Sequence, residues 1–168
     1  IDKPAGENML AIAKAKGVPI SQTMACVLDR PRHADIIASI RSVGARIKLI
    51  SDGDVAGVMA TADPATGIDM YVGTGGAPEG VLAAAALRCI GGQMQGRLVF
   101  RNDDEKARAA KWGITDLHRT YSLEELAAGS VIFAASGVTD GSMLRGVRQI
   151  NDRVHTETIV MRSHTGTV

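Results

Sequence analysis

Aromatic side chains are scarce in this sequence: one Trp, two Tyr and two Phe among 168 residues. Since 45% of the residues are hydrophobic, the core has to be aliphatic. Long apolar runs are missing too. The longest, Val81 to Leu87, falls far short of the roughly 20 residues that span a bilayer, so no membrane partner is expected. Neither sign of charge dominates. Nineteen Lys and Arg against 18 Asp and Glu leave a net +1, which gives no basis for nucleic acid or an acidic surface as partner. Only two cysteines occur, Cys26 and Cys89, and both sit in apolar runs, as reduced core residues do. No secretory signal precedes the first element, and a cytoplasmic enzyme is the natural expectation. The chain opens at Ile1 without an initiator Met and stops abruptly at Thr167-Val168, as expected of a piece of a longer protein. A length of 168 residues suffices for one domain with its own core.

Several chemistries lack their residues. No GxGxxG opens a strand-helix unit, and no Walker A lysine follows the glycine-rich corner described below. His118, His155 and His164 have no zinc spacing. No Ser/His/Asp or Cys/His set follows from spacing. His33 lies in the first turn of an expected helix, where local packing or hydrogen bonding outweighs metal ligation.

What is present is alternation. Helix (Asn8 to Lys16), strand (Thr23 to Leu28), helix (Pro31 to about Val43), strand (Arg46 to Ile50), short helix (Val55 to Ala60), strand (Ile68 to Val72) and helix (Glu79 to Ile90) follow one another. That order predicts βαβ units and a largely parallel sheet. A strand (Met94 to Phe100), a charged helix (Asp103 to Trp112), a short helix (Leu123 to Ala127) and a strand (Val131 to Ser136) come next. Two extended runs, Arg145 to Ile150 and Val154 to Arg162, end the chain. The whole, residues 1–168, is read as a single α/β domain.

Ligands of parallel α/β sheets bind at the carboxyl ends of the strands. Four polar clusters follow strands here: Asp29-Arg30-Pro31-Arg32-His33, Ser51-Asp52-Gly53-Asp54, Gly73 to Gly80, and Gly137-Val138-Thr139-Asp140-Gly141. They are expected on one edge of one sheet, and that shared placement is the signal. Around Gly73-Thr74-Gly75-Gly76-Ala77-Pro78-Glu79-Gly80, glycines allow close backbone approach. Pro78 suits the first turn of the following helix, whose N-terminus favours an anion. Glu79 adds a carboxylate, which makes sense if a divalent cation sits between it and a phosphate. The plainer alternative is a chain turn with Glu79 complementing the helix dipole. Arg30 and Arg32 flank Pro31 and suit a phosphate clamp, or else a solvated basic turn. Asp52 and Asp54 can orient sugar hydroxyls or bind metal; the alternative is an Asx-type turn with Asp54 capping the next helix. Thr139-Asp140-Gly141 reads as a turn.

Taken together, Leu28-Asp29-Arg30-Pro31-Arg32-His33, Asp52-Gly53-Asp54-Val55-Ala56, Gly75-Gly76-Ala77-Pro78-Glu79-Gly80, Gly137-Val138-Thr139-Asp140-Gly141 and Ile159-Val160-Met161-Arg162 resemble class II fructose-1,6-bisphosphatase, in order and spacing along essentially the whole chain. The resemblance implies an α/β layered helix–sheet sandwich of the lithium-sensitive sugar-phosphatase superfamily. It implies Mn²⁺- or Mg²⁺-dependent hydrolysis of the 1-phosphate of fructose 1,6-bisphosphate, a step of gluconeogenesis or the Calvin cycle, with sedoheptulose 1,7-bisphosphate as a second substrate in cyanobacterial members. Carried across, Arg30, Pro31 and Arg32 contact substrate phosphate, although family members often have Lys at the first of these positions. Asp52, Gly53 and Asp54 hold the substrate, Gly76 lies against it, and Glu79 is a metal ligand. The family is roughly twice this length. Its other acidic metal ligands, an Asp-Pro-hydrophobic-Asp-Gly-Thr motif and a water-activating threonine belong to an upstream half that is not in this sequence, so the catalytic residues are expected there. A homo-oligomer is implied. Two rivals remain: a sugar-phosphate binding module or half-enzyme without turnover, and an inositol-monophosphatase-like enzyme, which the paired arginines disfavour.

Overall fold

A computed structural model describes residues 1–168. Three parallel strands organise its first half. Strand β1 (Met24–Leu28) is central, flanked by β2 (Arg46–Ile50) and β3 (Met70–Tyr71) in the order β2-β1-β3. The sequence of β1, Met-Ala-Cys-Val-Leu, is apolar at every position, which suits a strand covered on both faces. Met24 to Leu28 pair in register with Arg46 to Ile50 on one side, and Ala25 and Cys26 pair with Met70 and Tyr71 on the other. The Asp69 amide donates to Met24 O and the Val72 amide to Cys26 O, which extends the short β3 ladder at both ends.

Side chains alternate across β1, so each face needs its own cover. Helices α1 (Ala5–Lys16) and α2 (Ala34–Ser42) cover one face, where Met9, Ile37 and Ile40 meet Ala25 and Val27. Helix α3 (Asp54–Met59) lies on the other face. It comes so close that a Cβ on Gly57 would stand 3.0 Å from Ile50 Cδ1 and 3.1 Å from Tyr71 Cε2. Helix α4 (Ala77–Ile90) packs beside α3 and is buried on two sides, which its small alanines permit. Ala83, Ala84 and Leu87 meet Val58, Leu123 and Ala127, while Ala86 and Cys89 meet Met59, Phe133 and Met161.

The second half is a set of antiparallel pairs. Strands β4 (Gln95–Arg97) and β5 (Thr120–Ser122) pair, separated in sequence by helix α5 (Asp103–Lys111), whose N-cap is Asn102. A Ser122/Glu125 capping box then opens α6 (Leu123–Leu126). Strand β6 (Ile132–Ser136) pairs with β9 (Thr158–Arg162), and β7 (Arg148–Ile150) with β8 (Arg153–His155). Phe133 and Met161 seat the β6–β9 pair against α4. The layers therefore run helix, sheet, helix, sheet.

Four sequence expectations are corrected. Helix α1 starts at Ala5, directly after Pro4, three residues ahead of Asn8. The strand expected over Met94 to Phe100 is only three residues long, because its partner β5 is equally short. The run Val154 to Arg162 is two strands: an Asn151-Asp152 turn, with Asn151 at φ 56, folds β8 back onto β7 and frees β9 for β6. Finally, β6 lies outside the parallel sheet. Only three of the four polar clusters share its carboxyl edge; Gly137 to Gly141 follows a strand of the separate β6–β9 pair.

The buried residues number 28 of 168 and fall into three small clusters. A compact monomer of 17.6 kDa exposes about 7,900 Å². This chain exposes 10679 Å², with Val81 and Leu82 on α4 and Ile132 and Val160 on the β6–β9 pair among its exposed apolar side chains.

Candidate functional site

At the carboxyl edge of the sheet, the loop after central β1 lies between the loops after β2 and β3. The chain leaves β1 through Asp29 and Arg30, and Pro31 opens a single 3₁₀ turn, Pro31–His33, that feeds α2. The two arginines part company here. Arg30 donates from Nη1 to its neighbour Asp29 O at 2.8 Å and from Nη2 to Ser51 O at 2.6 Å, so it is tied to the loop after β2. Arg32 donates from Nε to Thr74 O at 2.8 Å and is tied to the loop after β3. The expected two-fork clamp is thus one arginine per flank. Arg30 has both terminal nitrogens occupied by carbonyls, whereas Arg32 anchors through Nε and its terminal nitrogens make no hydrogen bond within the chain.

After β2, Gly53 adopts the left-handed conformation at φ 74 and starts α3. Asp54 is the first residue of that helix rather than its cap. Its Oδ1 accepts from the Val55 amide at 3.0 Å. Its Oδ2 points across the edge, 3.4 Å from where a Cβ on Gly75 would stand. Asp52 is exposed on the turn.

After β3, Gly73 to Gly76 lead into α4, with Gly76 as N-cap and Pro78 in the first turn. Glu79 curls back over the start of its own helix. A Cβ on Gly76 would lie 2.1 Å from Glu79 Oε2 and 2.9 Å from Cδ, so glycine at 76 is what lets the carboxylate sit there. Gly75 and Gly76 are therefore bracketed by Asp54 on one side and Glu79 on the other. Both carboxylates lie at the N-terminus of a 14-residue helix, whose free amides favour negative charge.

Asp54 and Glu79 are suitable donors for a hard divalent cation, which takes carboxylate oxygen. By themselves they do not make up a metal site, since no three His, Cys, Asp or Glu side chains converge into one anywhere in the chain. Tyr71 adds a feature that residue types and spacing did not single out. Its phenol is pushed up to about 12, first by burial and then by the negative charge of Asp54 and Cys26, against the opposing pull of Arg32. The phenol thus lies within the fields of both the acidic and the basic members of the edge. His33 is the other surprise. As expected it packs and hydrogen-bonds locally, buried and bonded to Leu28 O, yet another of its partners is Thr74, 41 residues away. A cavity of about 440 Å³ lined by Arg88, Gly129, Ser130, Ser163 and His164 lies away from these loops.

Residues 1–168 match the family described as Bacterial fructose-1,6-bisphosphatase, glpX-encoded. A protein of Synechococcus sp. (strain JA-2-3B'a(2-13)), named D-fructose 1,6-bisphosphatase class 2/sedoheptulose 1,7-bisphosphatase, is 42% identical over 183 residues, covering 100% of this chain and 52% of that protein. A protein of the same name from Synechocystis sp. (strain ATCC 27184 / PCC 6803 / Kazusa) is 40% identical over 180 residues, covering 99% of this chain and 52% of its own length. The chain spans about half the length of the curated relatives it matches.

Proposed function

The chain belongs to the bacterial, glpX-encoded fructose-1,6-bisphosphatase family, and from that premise we propose that it is the downstream half of a cytoplasmic, metal-dependent sugar bisphosphatase. The substrate is fructose 1,6-bisphosphate, cleaved at the 1-phosphate, with sedoheptulose 1,7-bisphosphate as a second substrate on the strength of the names its relatives carry. The helix–sheet–helix–sheet layering supports membership of the lithium-sensitive sugar-phosphatase superfamily. The surface, roughly a third larger than that of a compact monomer of this mass, supports a chain that folds against further sequence.

One observation supports this most: Arg32 after β1 and Asp54 after β2 both reach the glycine corner after β3, where Glu79 folds back over Gly76. In that arrangement the terminal fork of Arg32 grips a phosphate, and the first amides of α4 add donors to the same anion. Asp52 and Asp54 accept from sugar hydroxyls. Glu79 at Gly76, with Asp54 beside Gly75, offers carboxylate oxygen to a cation at this corner. A bound Mn²⁺ or Mg²⁺ supplies charge neutralisation at the phosphoryl oxygens and a more acidic water. Arg30 fixes the loops after β1 and β2 relative to one another and so sets where Asp52 to Asp54 stand. The water-activating groups lie in the other half, which makes residues 1–168 a substrate-binding half without turnover of its own. An inositol-monophosphatase-like reading has no comparable support, since the family match covers every residue.

The test is phosphate release from fructose 1,6-bisphosphate by the complete gene product with Mn²⁺, compared with Glu79→Gln. Turnover that the substitution abolishes is the expected result. No turnover on any sugar bisphosphate would refute the reading.

A further inference from the structure

The imidazole of His33 is fully buried, although it sits in a loop at the open edge of the sheet. Both ring nitrogens are engaged. Nδ1 is 2.8 Å from Leu28 O, at the end of β1. Nε2 is 2.9 Å from the Thr74 amide nitrogen, in the glycine corner after β3. A carbonyl can only accept and an amide N–H can only donate, so the pair of contacts admits one neutral form, with the proton on Nδ1. In the other form a lone pair would face Leu28 O, and two N–H groups would oppose each other at Thr74. Nε2 also lies 3.2 Å from Thr74 O, but in the Nδ1–H form it brings no proton there. That carbonyl instead accepts from Arg32 Nε at 2.8 Å. Both backbone polar groups of Thr74, in the two peptide units that flank its Cα, are thereby held by two adjacent residues. Packing closes the arrangement, since a Cβ on Gly73 would stand 3.1 Å from His33 Cε1 and 3.3 Å from Nε2.

We propose that His33 is a positioning residue for the anion and cation site: as the Nδ1–H tautomer, it fixes Thr74, and with it the Gly75–Gly76 corner against which Asp54 and Glu79 stand. It touches neither substrate nor metal. The proposal rests on the sugar-bisphosphatase reading for its catalytic consequence, but its structural core, the tautomer and the Thr74 anchor, does not depend on that reading.

Two substitutions in the complete protein separate the two ring nitrogens. His33→Gln places an amide oxygen near the Nε2 position and keeps an acceptor for the Thr74 amide. His33→Asn places its amide near Nδ1, keeps the donor to Leu28 O and abandons Thr74. If His33 acts through Thr74, His33→Asn lowers kcat/KM about tenfold, the cost of one hydrogen bond to a positioned loop. It also raises both KM for fructose 1,6-bisphosphate and the Mn²⁺ concentration needed for half-activity, while His33→Gln stays within a few-fold of wild type. Amide hydrogen exchange gives a second reading that needs no activity. The Thr74 amide is protected in wild type and in His33→Gln and exchanges faster in His33→Asn, and ¹⁵N shifts of the imidazole report the proton on Nδ1. Equal exchange at Thr74 in the two variants, or a proton on Nε2, would overturn the proposal. So would a loss in His33→Asn confined to melting temperature, with KM and metal dependence unmoved. A wild-type protein inactive on sugar bisphosphates would refute the functional reading alone, and the exchange and tautomer results would still decide the role of His33.

Discussion

Gly76→Ala isolates the placement of the Glu79 carboxylate without touching it. The backbone at Gly76 is extended, φ −71 and ψ 145, which alanine adopts freely, so the substitution strains nothing in the main chain. The three atoms nearest the added methyl group all belong to the Glu79 carboxylate. It would stand 2.1 Å from Glu79 Oε2, where ordinary contact begins at 3.4 Å, so the carboxylate has to retreat by more than an ångström. A misplacement of about 1 Å in a positioned group can cost about a hundredfold in rate, which corresponds to about 2.7 kcal/mol. Folding stability should stay within about 0.5 kcal/mol of wild type, as for a surface change with no buried consequence. The assay is phosphate release by the complete protein over an Mn²⁺ titration, with thermal melting of the same samples. The expected result is a large loss of kcat/KM with a rightward shift of the Mn²⁺ curve and an unchanged melting temperature. In a Glu79→Ala background the part of the loss that runs through the carboxylate should vanish, because the group the methyl displaces is gone. Activity within a few-fold of wild type, or a loss that adds fully to that of Glu79→Ala, would refute the reasoning.

Three further outcomes follow from the geometry. Glu79→Gln, which keeps the shape but removes the charge, should cost at least about a hundredfold in activity at saturating metal; near-normal turnover would return Glu79 to a mere partner of the helix dipole. Arg32→Ala should raise KM for the bisphosphate more than it lowers kcat, by about 2 kcal/mol, because an anchor on the uncleaved phosphate binds ground and transition states alike; an unchanged KM would contradict the anchor role. Tyr71 should ionise near pH 12 in an ultraviolet titration of the folded protein, against an ordinary value of 10.0. Since its folded value is the higher one, the stability it contributes is complete below about pH 10 and is lost as pH rises toward 12; in Tyr71→Phe that part of the alkaline stability loss should vanish.

The parallel core was legible because its signals are local. Continuous apolar residues over Met24–Leu28, Pro31 ahead of a helix and Gly44 after it mark β1 and α2 directly. The same holds for the glycine corner, where Gly76 and Pro78 begin α4 as expected. What escaped depends on partners distant in sequence. Strand β5 is three residues long and exists only because Gln95–Arg97 lies beside it. The extended run after Val154 carries no internal break; its division comes from the Asn151-Asp152 turn upstream. Placing Gly137 to Gly141 on the parallel sheet failed for the same reason, since nothing in Ile132–Ser136 says which strand it will join. At the site, residue types marked Arg30, Arg32, Asp54 and Glu79. They did not reveal that Arg30 turns to Ser51 and Arg32 to Thr74, because that follows from strand order. Nor was the second hydrogen bond of His33 visible: Leu28 is five residues away in sequence, Thr74 forty-one.

In the proposed division of labour, residues 1–168 anchor the substrate and supply part of the cation shell, and water activation lies outside them. Phosphate release from fructose 1,6-bisphosphate with Mn²⁺, measured on purified residues 1–168 alone and after addition of the remaining half as a separate chain, tests it most directly. Two carboxylates at Gly75–Gly76 cannot hold the cations of a phosphatase site by themselves. The account therefore predicts no turnover by residues 1–168 alone and turnover when the other half is supplied. Clear turnover by residues 1–168 on their own would contradict it.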